Sequence, residues 1–103
     1  MKELQNKIKK FCKHYDMEYS VETRVLDTLS ELGEVAKEIL KSSDYGRKTI
    51  ECSNELKYEL GDVLFSLITI ANTFDIDLEE SLNLVLDKYE RRLQKGSAGS
   101  END

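Results

Sequence analysis

"SELGEVAKEIL" (residues 30–40) and "YELGDVLFSLI" (residues 58–68) are two versions of one phrase: an acid, Leu, Gly, a second acid and Val. Glu31 and Glu59 are 28 positions apart, too close for a duplicated domain but right for two adjacent helices joined by a loop. At about 100° per residue, Glu31 and Glu34 project from one side of the first helix, and Glu59 and Asp62 do the same on the second. If the two helices run antiparallel as neighbours, the two acid pairs face each other.

Working outward, the chain has no proline and is rich in Leu, Glu and Lys, so nothing breaks a helix and little favours a strand. Leu4, Ile8, Phe11 and Tyr15 recur at helical spacing and predict a helix from about Lys2 to Tyr15. Ser20 is placed to cap a second helix ending near Lys41, ahead of the loop-like "KSSDYGRK". A third runs from about Ile50 to Thr73, apolar almost all round in its second half, as suits the middle of a bundle. Asp77 followed by Glu80 reads as a cap with its acidic partner and opens a fourth helix to about Leu93. The expected fold is an all-α antiparallel four-helix bundle over residues 1–95, completed by association with further copies. The Gly/Ser-rich segment at residues 96–103 is expected to be a disordered tail.

A chain of 103 residues with 21 acidic and 15 basic side chains carries a net charge of −6, which argues against nucleic acid or an anionic membrane as partner. A polyphosphate substrate would then need metal ions as intermediaries. There is no run of about 18 apolar residues to span a bilayer, and no export signal at the N-terminus. Cys12 and Cys52 form no CxxC pair and read as reduced packing residues of a cytoplasmic protein.

The acid pairs admit two readings. Taken alone, the stripe on helix two, which Asp27 and Glu38 extend, suits a solvated or partner-binding face, and the whole chain would then be a non-catalytic helical interaction module. Helix three weighs against that, because Glu59 and Asp62 lead into the apolar run from Val63 to Ala71, and partly buried carboxylates need compensation. Lys37 and Lys57 point away from the stripes, so a hard divalent cation, Mg²⁺ or Mn²⁺, is the fitting partner. His14 is the only histidine, which removes the usual zinc and copper ligand sets. Gly33 and Gly61, at matching places, suggest close backbone approach. Ser66, one turn beyond Asp62, shares the stripe, where it either touches a nucleotide or bonds to its own helix.

Together, "ELGEV", "ELGDVLFSLITIAN" and "DIDLEESL" resemble the MazG-like nucleotide pyrophosphohydrolases of the all-α NTP pyrophosphatase superfamily, over roughly residues 21–92. The resemblance implies Mg²⁺-dependent hydrolysis of a ribo- or deoxyribonucleoside triphosphate to the monophosphate and pyrophosphate by a homodimer or homotetramer. It assigns the catalytic metal ligands to Glu31, Glu34, Glu59 and Asp62. A phosphoribosyl-ATP pyrophosphohydrolase is the alternative within the superfamily, but its substrate calls for more basic residues near the cleft. The chain also departs from the family. Many relatives carry an acid where Ser30 stands, and substrate-facing Lys and Asn positions of the last helix align with Val85 and Tyr89. Lys88, Arg91 and Arg92 remain as candidate phosphate-binding residues, with Lys88, Arg91 and Ser66 forming the expected substrate set.

Overall fold

The computed structural model describes residues 1–96; the expected tail otherwise lies outside them. Four helices, α1 (Lys2–His14), α2 (Val21–Ser42), α3 (Asn54–Thr73) and α4 (Leu78–Gln94), are the only regular elements among the described residues. The all-helical expectation therefore stands. None of these helices is long and apolar enough to cross a membrane.

Each helix starts and stops for a local reason. Ser20 accepts from the Thr23 N–H, and Asp77 accepts from those of Glu79 and Glu80, so both caps are where the sequence placed them. Ser53 accepts from the Leu56 N–H, and this cap delays α3 to Asn54, four residues past the expected start at Ile50. The C-termini share a device that the sequence reading did not use. Asp16, Asp44 and Asp75 have φ of 53°, 48° and 53°, and each is followed by an apolar residue whose N–H reaches back five positions. These bonds are Met17 to Cys12, Tyr45 to Leu40 and Ile76 to Ala71, at 2.7, 2.7 and 2.9 Å. They are Schellman-type closures with aspartate in the left-handed position usually held by glycine. Gly96, at φ 86°, follows α4.

The tertiary structure is built on α3. Along one side lies α2, antiparallel: Ser53 donates to Glu38 at 3.0 Å at one end, and Arg24 and Thr69 line a common cavity at the other. α1 runs antiparallel to α3 on another side, with Phe11 edge-on to Phe65 at 6.0 Å between centroids. Gln5, only 7% exposed, holds the opposite end of that contact. Its amide donates to Asn72 Oδ1 and the Ile76 carbonyl and accepts from the Leu78 N–H, while Asn72 donates to the Gln5 carbonyl. One glutamine thus joins α1, the end of α3 and the start of α4.

Beyond that junction α4 is lightly packed and has no buried residue. Cys12, Ile68 and Ala71 are the buried apolar residues, and leucines remain outside on α2 (Leu26, Leu29), α3 (Leu60) and α4 (Leu82, Leu84, Leu93). Two expectations change here. Cys52 is exposed rather than packed, because it precedes the cap of α3 instead of lying inside the helix. Gly33 and Gly61 are exposed, with nothing within 4 Å of a built Cβ, so within one chain no backbone approaches them.

Gln5→Ala should destabilise the fold by about 2 kcal/mol, since it leaves the part-buried Asn72 Oδ1, Ile76 carbonyl and Leu78 N–H without their shared glutamine partner. Asn6→Ala, one position along on the exposed side of α1, should change stability by less than about 0.5 kcal/mol. Urea unfolding followed by helical circular dichroism compares the two.

Candidate active site

The antiparallel register of α2 and α3 decides which acids meet. With Glu38 beside Ser53 and Arg24 beside Thr69, Glu31 falls level with Glu59 and Asp62. One carboxylate oxygen from each of these three lies within 4.8 Å of the others. Glu31 and Glu59 are half-buried and Asp62 is exposed, so the cluster sits at the lip of the seam rather than in a closed core. Glu34, the fourth expected member, is exposed and stands outside that close group. Its charge still reaches Glu31.

The electrostatics are one-sided. Partial burial, followed by the charges of Asp62, Glu59, Glu34 and Asp27, pushes the Glu31 carboxyl above the ordinary glutamate range. No cation is among the groups acting on it, consistent with the outward direction of Lys37 and Lys57. Three oxygen donors of like charge, gathered without a Lys or Arg, fit a hard divalent cation by donor chemistry and by spacing. Glu38, which could have extended this group, is instead a structural acceptor: one of its oxygens receives the hydroxyls of Ser42 and Ser53.

The expected substrate residues are dispersed. Ser66 is buried one turn beyond Asp62, and its hydroxyl makes no hydrogen bond among the described residues. Lys88 rests its ammonium over its neighbour Tyr89, 5.5 Å from the ring centroid. Arg91 groups with Asp87, Glu90 and Gln94 of its own helix. Since α4 touches α2 and α3 only slightly, these two cations are not gathered with the acids in the single chain. A buried charge the sequence reading did not single out is Arg24, seven residues before Glu31 and so on the same face of α2. That register was visible in the sequence.

Residues 19–97 match the family model of the MazG nucleotide pyrophosphohydrolase domain, and the chain belongs to that family. It is thus an enzyme, a nucleotide pyrophosphohydrolase. The uncharacterized protein YpjD of Bacillus subtilis (strain 168) is 33% identical over 96 residues, covering 89% of this chain and 85% of YpjD. The crystal structure of YpjD from Bacillus subtilis, described as a putative pyrophosphatase, matches with a TM-score of 0.73 at 32% identity, covering 89% of this chain and 94% of that one. That of the Bacillus-conserved MazG protein, a nucleotide pyrophosphohydrolase, matches with a TM-score of 0.72 at 30% identity, covering 85% and 86% of the two chains.

In the metal-free protein the raised Glu31 pKa has a definite sign. The folded state holds this proton more tightly than the unfolded chain does, so the associated stability is present at acid pH. It is lost as pH rises from the ordinary glutamate value through the higher folded-state value. Glu31→Gln should therefore melt higher than the parent at neutral pH in EDTA, and the gap should close on acidification through that window. Thermal melts across pH check this.

Proposed function

We propose that this chain, as one MazG-like domain over residues 1–95, hydrolyses a nucleoside triphosphate, ribo- or deoxyribo-, to the monophosphate and pyrophosphate. The reaction uses Mg²⁺, with Mn²⁺ as a substitute, at Glu31, Glu34, Glu59 and Asp62. The observation that carries this reading is the convergence of three carboxylate oxygens from two helices within 4.8 Å, with no cation among them. When bound, the metal supplies neutralisation of the phosphate charge and an acidified water.

The remaining work falls to the chain. Glu31, Glu59 and Asp62 fix the ion position through the α2–α3 register, and Glu34 at the open edge is free to reach in as a fourth donor. The Ser66 hydroxyl, without a protein partner, offers a hydrogen bond to substrate one turn from Asp62. Lys88 and Arg91 bind phosphate oxygens once α4, of the same chain or of a second copy, is drawn against the cleft. That requirement agrees with the surface. Leu29 on α2 and Leu84 on α4 are 67% and 64% exposed, and apolar residues spread over helices that must otherwise face water are matched to copies of the same chain. A homodimer or homotetramer in the cytoplasm, with its thiols reduced, completes the reading.

Glu59→Gln should lower pyrophosphate release by at least about a hundredfold, because an amide of nearly the same shape lacks the charge that positions the ion, and several kcal/mol of barrier lowering depend on that ion. Helical content should be unchanged, and the metal-free variant should melt no lower than the parent, having lost a like charge. Mg²⁺ should stabilise the parent much more than the variant. A variant that unfolds, or that turns over at the parental rate, removes Glu59 from the site. Light scattering at micromolar concentration should give a mass above that of one chain; a monomer contradicts the assembly.

A further inference from the structure

Among the described residues, the charged side chain that is buried is a positive one. Arg24 is 5% exposed, and no carboxylate lies within ion-pairing distance of it among the described residues. Its contacts are few. Nη2 donates to the Met17 carbonyl and to Cys12 Sγ, the latter at 3.7 Å, and the Tyr19 ring lies 5.0 Å from the guanidinium carbon. Nε and Nη1 have no hydrogen-bond partner among the described residues, yet neither is sealed from solvent. Arg24 lines a cavity of about 220 Å³ at the junction of α1, the start of α2 and the end of α3.

The rest of that lining narrows the choice of occupant. Lys9 adds a second positive charge and Glu18 one negative charge, both from exposed residues, so the lining with Arg24 stays net positive. The hydroxyls of Thr69 and Thr73 spend their hydrogens on the carbonyls of Ser66 and Thr69, so the charged donors open to a guest are the two cations, with Tyr19 and Asn72 as neutral neighbours in the lining. Burying a guanidinium without a counter-charge costs several kcal/mol, and a guest anion would recover much of that. Arginine's planar fork favours phosphate-type oxyanions over halides. The volume admits orthophosphate or pyrophosphate and is below the range for a whole nucleotide.

We propose that the Arg24–Lys9 cavity is a second ligand site, for a small phosphate oxyanion, distinct from the acidic cluster. Seven residues of helix, about 10 Å along the axis of α2, separate Arg24 from Glu31, so its phosphate is not held at the carboxylates. The site does not depend on the hydrolase reading.

The test titrates the full-length chain in EDTA, at constant ionic strength, with orthophosphate, pyrophosphate and a nucleoside monophosphate, by thermal shift and amide NMR. The expected result is a saturable rise in melting temperature with amide shifts at Tyr19, Arg24, Thr69 and Thr73. The stronger of the inorganic ligands identifies the source, free phosphate or a pyrophosphate product. Lys9→Gln, at an exposed position, should weaken binding about tenfold without changing the fold, and Arg24→Gln should abolish it. If Arg24→Gln fails to fold, Lys9→Gln and the NMR map decide. No saturation by about 10 mM ligand, shifts confined to Glu31, Glu59 and Asp62, or undiminished binding by Lys9→Gln each overturns the site. An inactive protein that binds phosphate at Arg24 supports it, and an active one that does not bind there refutes it.

Discussion

Everything in this structure depends on the antiparallel packing of α2 on α3, and that packing carries polar side chains among its apolar ones from end to end. From one end to the other, Arg24, Thr28, Glu31 and Glu38 on α2 run beside Thr69, Ser66, Asp62, Glu59 and Ser53 on α3. An ordinary helix pair would spend this stripe on leucine and isoleucine, worth about 1.5–3 kcal/mol for each side chain buried. Here hydroxyls and charges share the stripe with Val35 on α2 and with Leu56 and Val63 on α3, and leucines such as Leu26, Leu29 and Leu60 point elsewhere. Stability is instead collected at the ends. Glu38 with Ser42 and Ser53 clips one end, and Gln5 with Asn72 and Leu78 clips the other side of α3.

The consequence is a chain with a thin core of its own. A single chain of this length buries little more than about 60% of its unfolded surface, and α4 contributes no buried residue. The glycines of the repeated phrase belong to the same account. Two residues past Glu31 and Glu59 on their helices, each turns away from the acids, and each costs about 1 kcal/mol against alanine inside a helix. The single chain gives nothing back for that cost, since beyond the glycine's own stretch of helix a side chain at either position would meet nothing within 4 Å. Bare backbone on an outer face, bordered by exposed leucines, is suited to close contact with another helix.

How much was legible in the sequence follows from the range of each interaction. Helix existence, the caps at Ser20 and Asp77 and the approach of Glu31 to Glu59 and Asp62, though not of Glu34, are set by neighbours within a turn or two, or by the 28-residue spacing of the repeat, and these could be read directly. The start of α3 could not. "IECSN" contains an apolar residue and a cysteine that suit a helix, and Ser53 wins because its hydroxyl has both the Leu56 N–H to accept and Glu38 across the hairpin to meet. The second of those partners is tertiary. The aspartate stops were legible in principle, since Asp followed by Met, Tyr or Ile recurs after three helices, but aspartate is common on helix surfaces too and the left-handed conformation is visible only in three dimensions. Arg24 and Gln5 were hidden for a related reason, because polar residues on an amphipathic helix are taken as solvated until a neighbouring helix covers them.

Why, then, does the seam not neutralise itself? Arg24 and the three clustered acids, Glu31, Glu59 and Asp62, share it, and direct pairing would cancel most of the electrostatic cost. At a contact distance of 4 Å a unit pair gains about 4 kcal/mol at an effective dielectric of 20, whereas at the roughly 10 Å between Arg24 and Glu31 along α2 it gains less than half of that. The interval is filled by Thr28, Ser66 and Thr69, and two of their hydroxyls are turned to their own backbones, Thr28 to Arg24 and Thr69 to Ser66. Neutral side chains therefore hold the two charges apart, and each keeps its electrostatic demand unmet within the chain. A fold selected for stability alone would pair them or replace them with apolar residues. Keeping opposite charges two turns apart on one helix pair is costly to the empty protein, and the cation and the anion proposed above would each relieve one end of that cost.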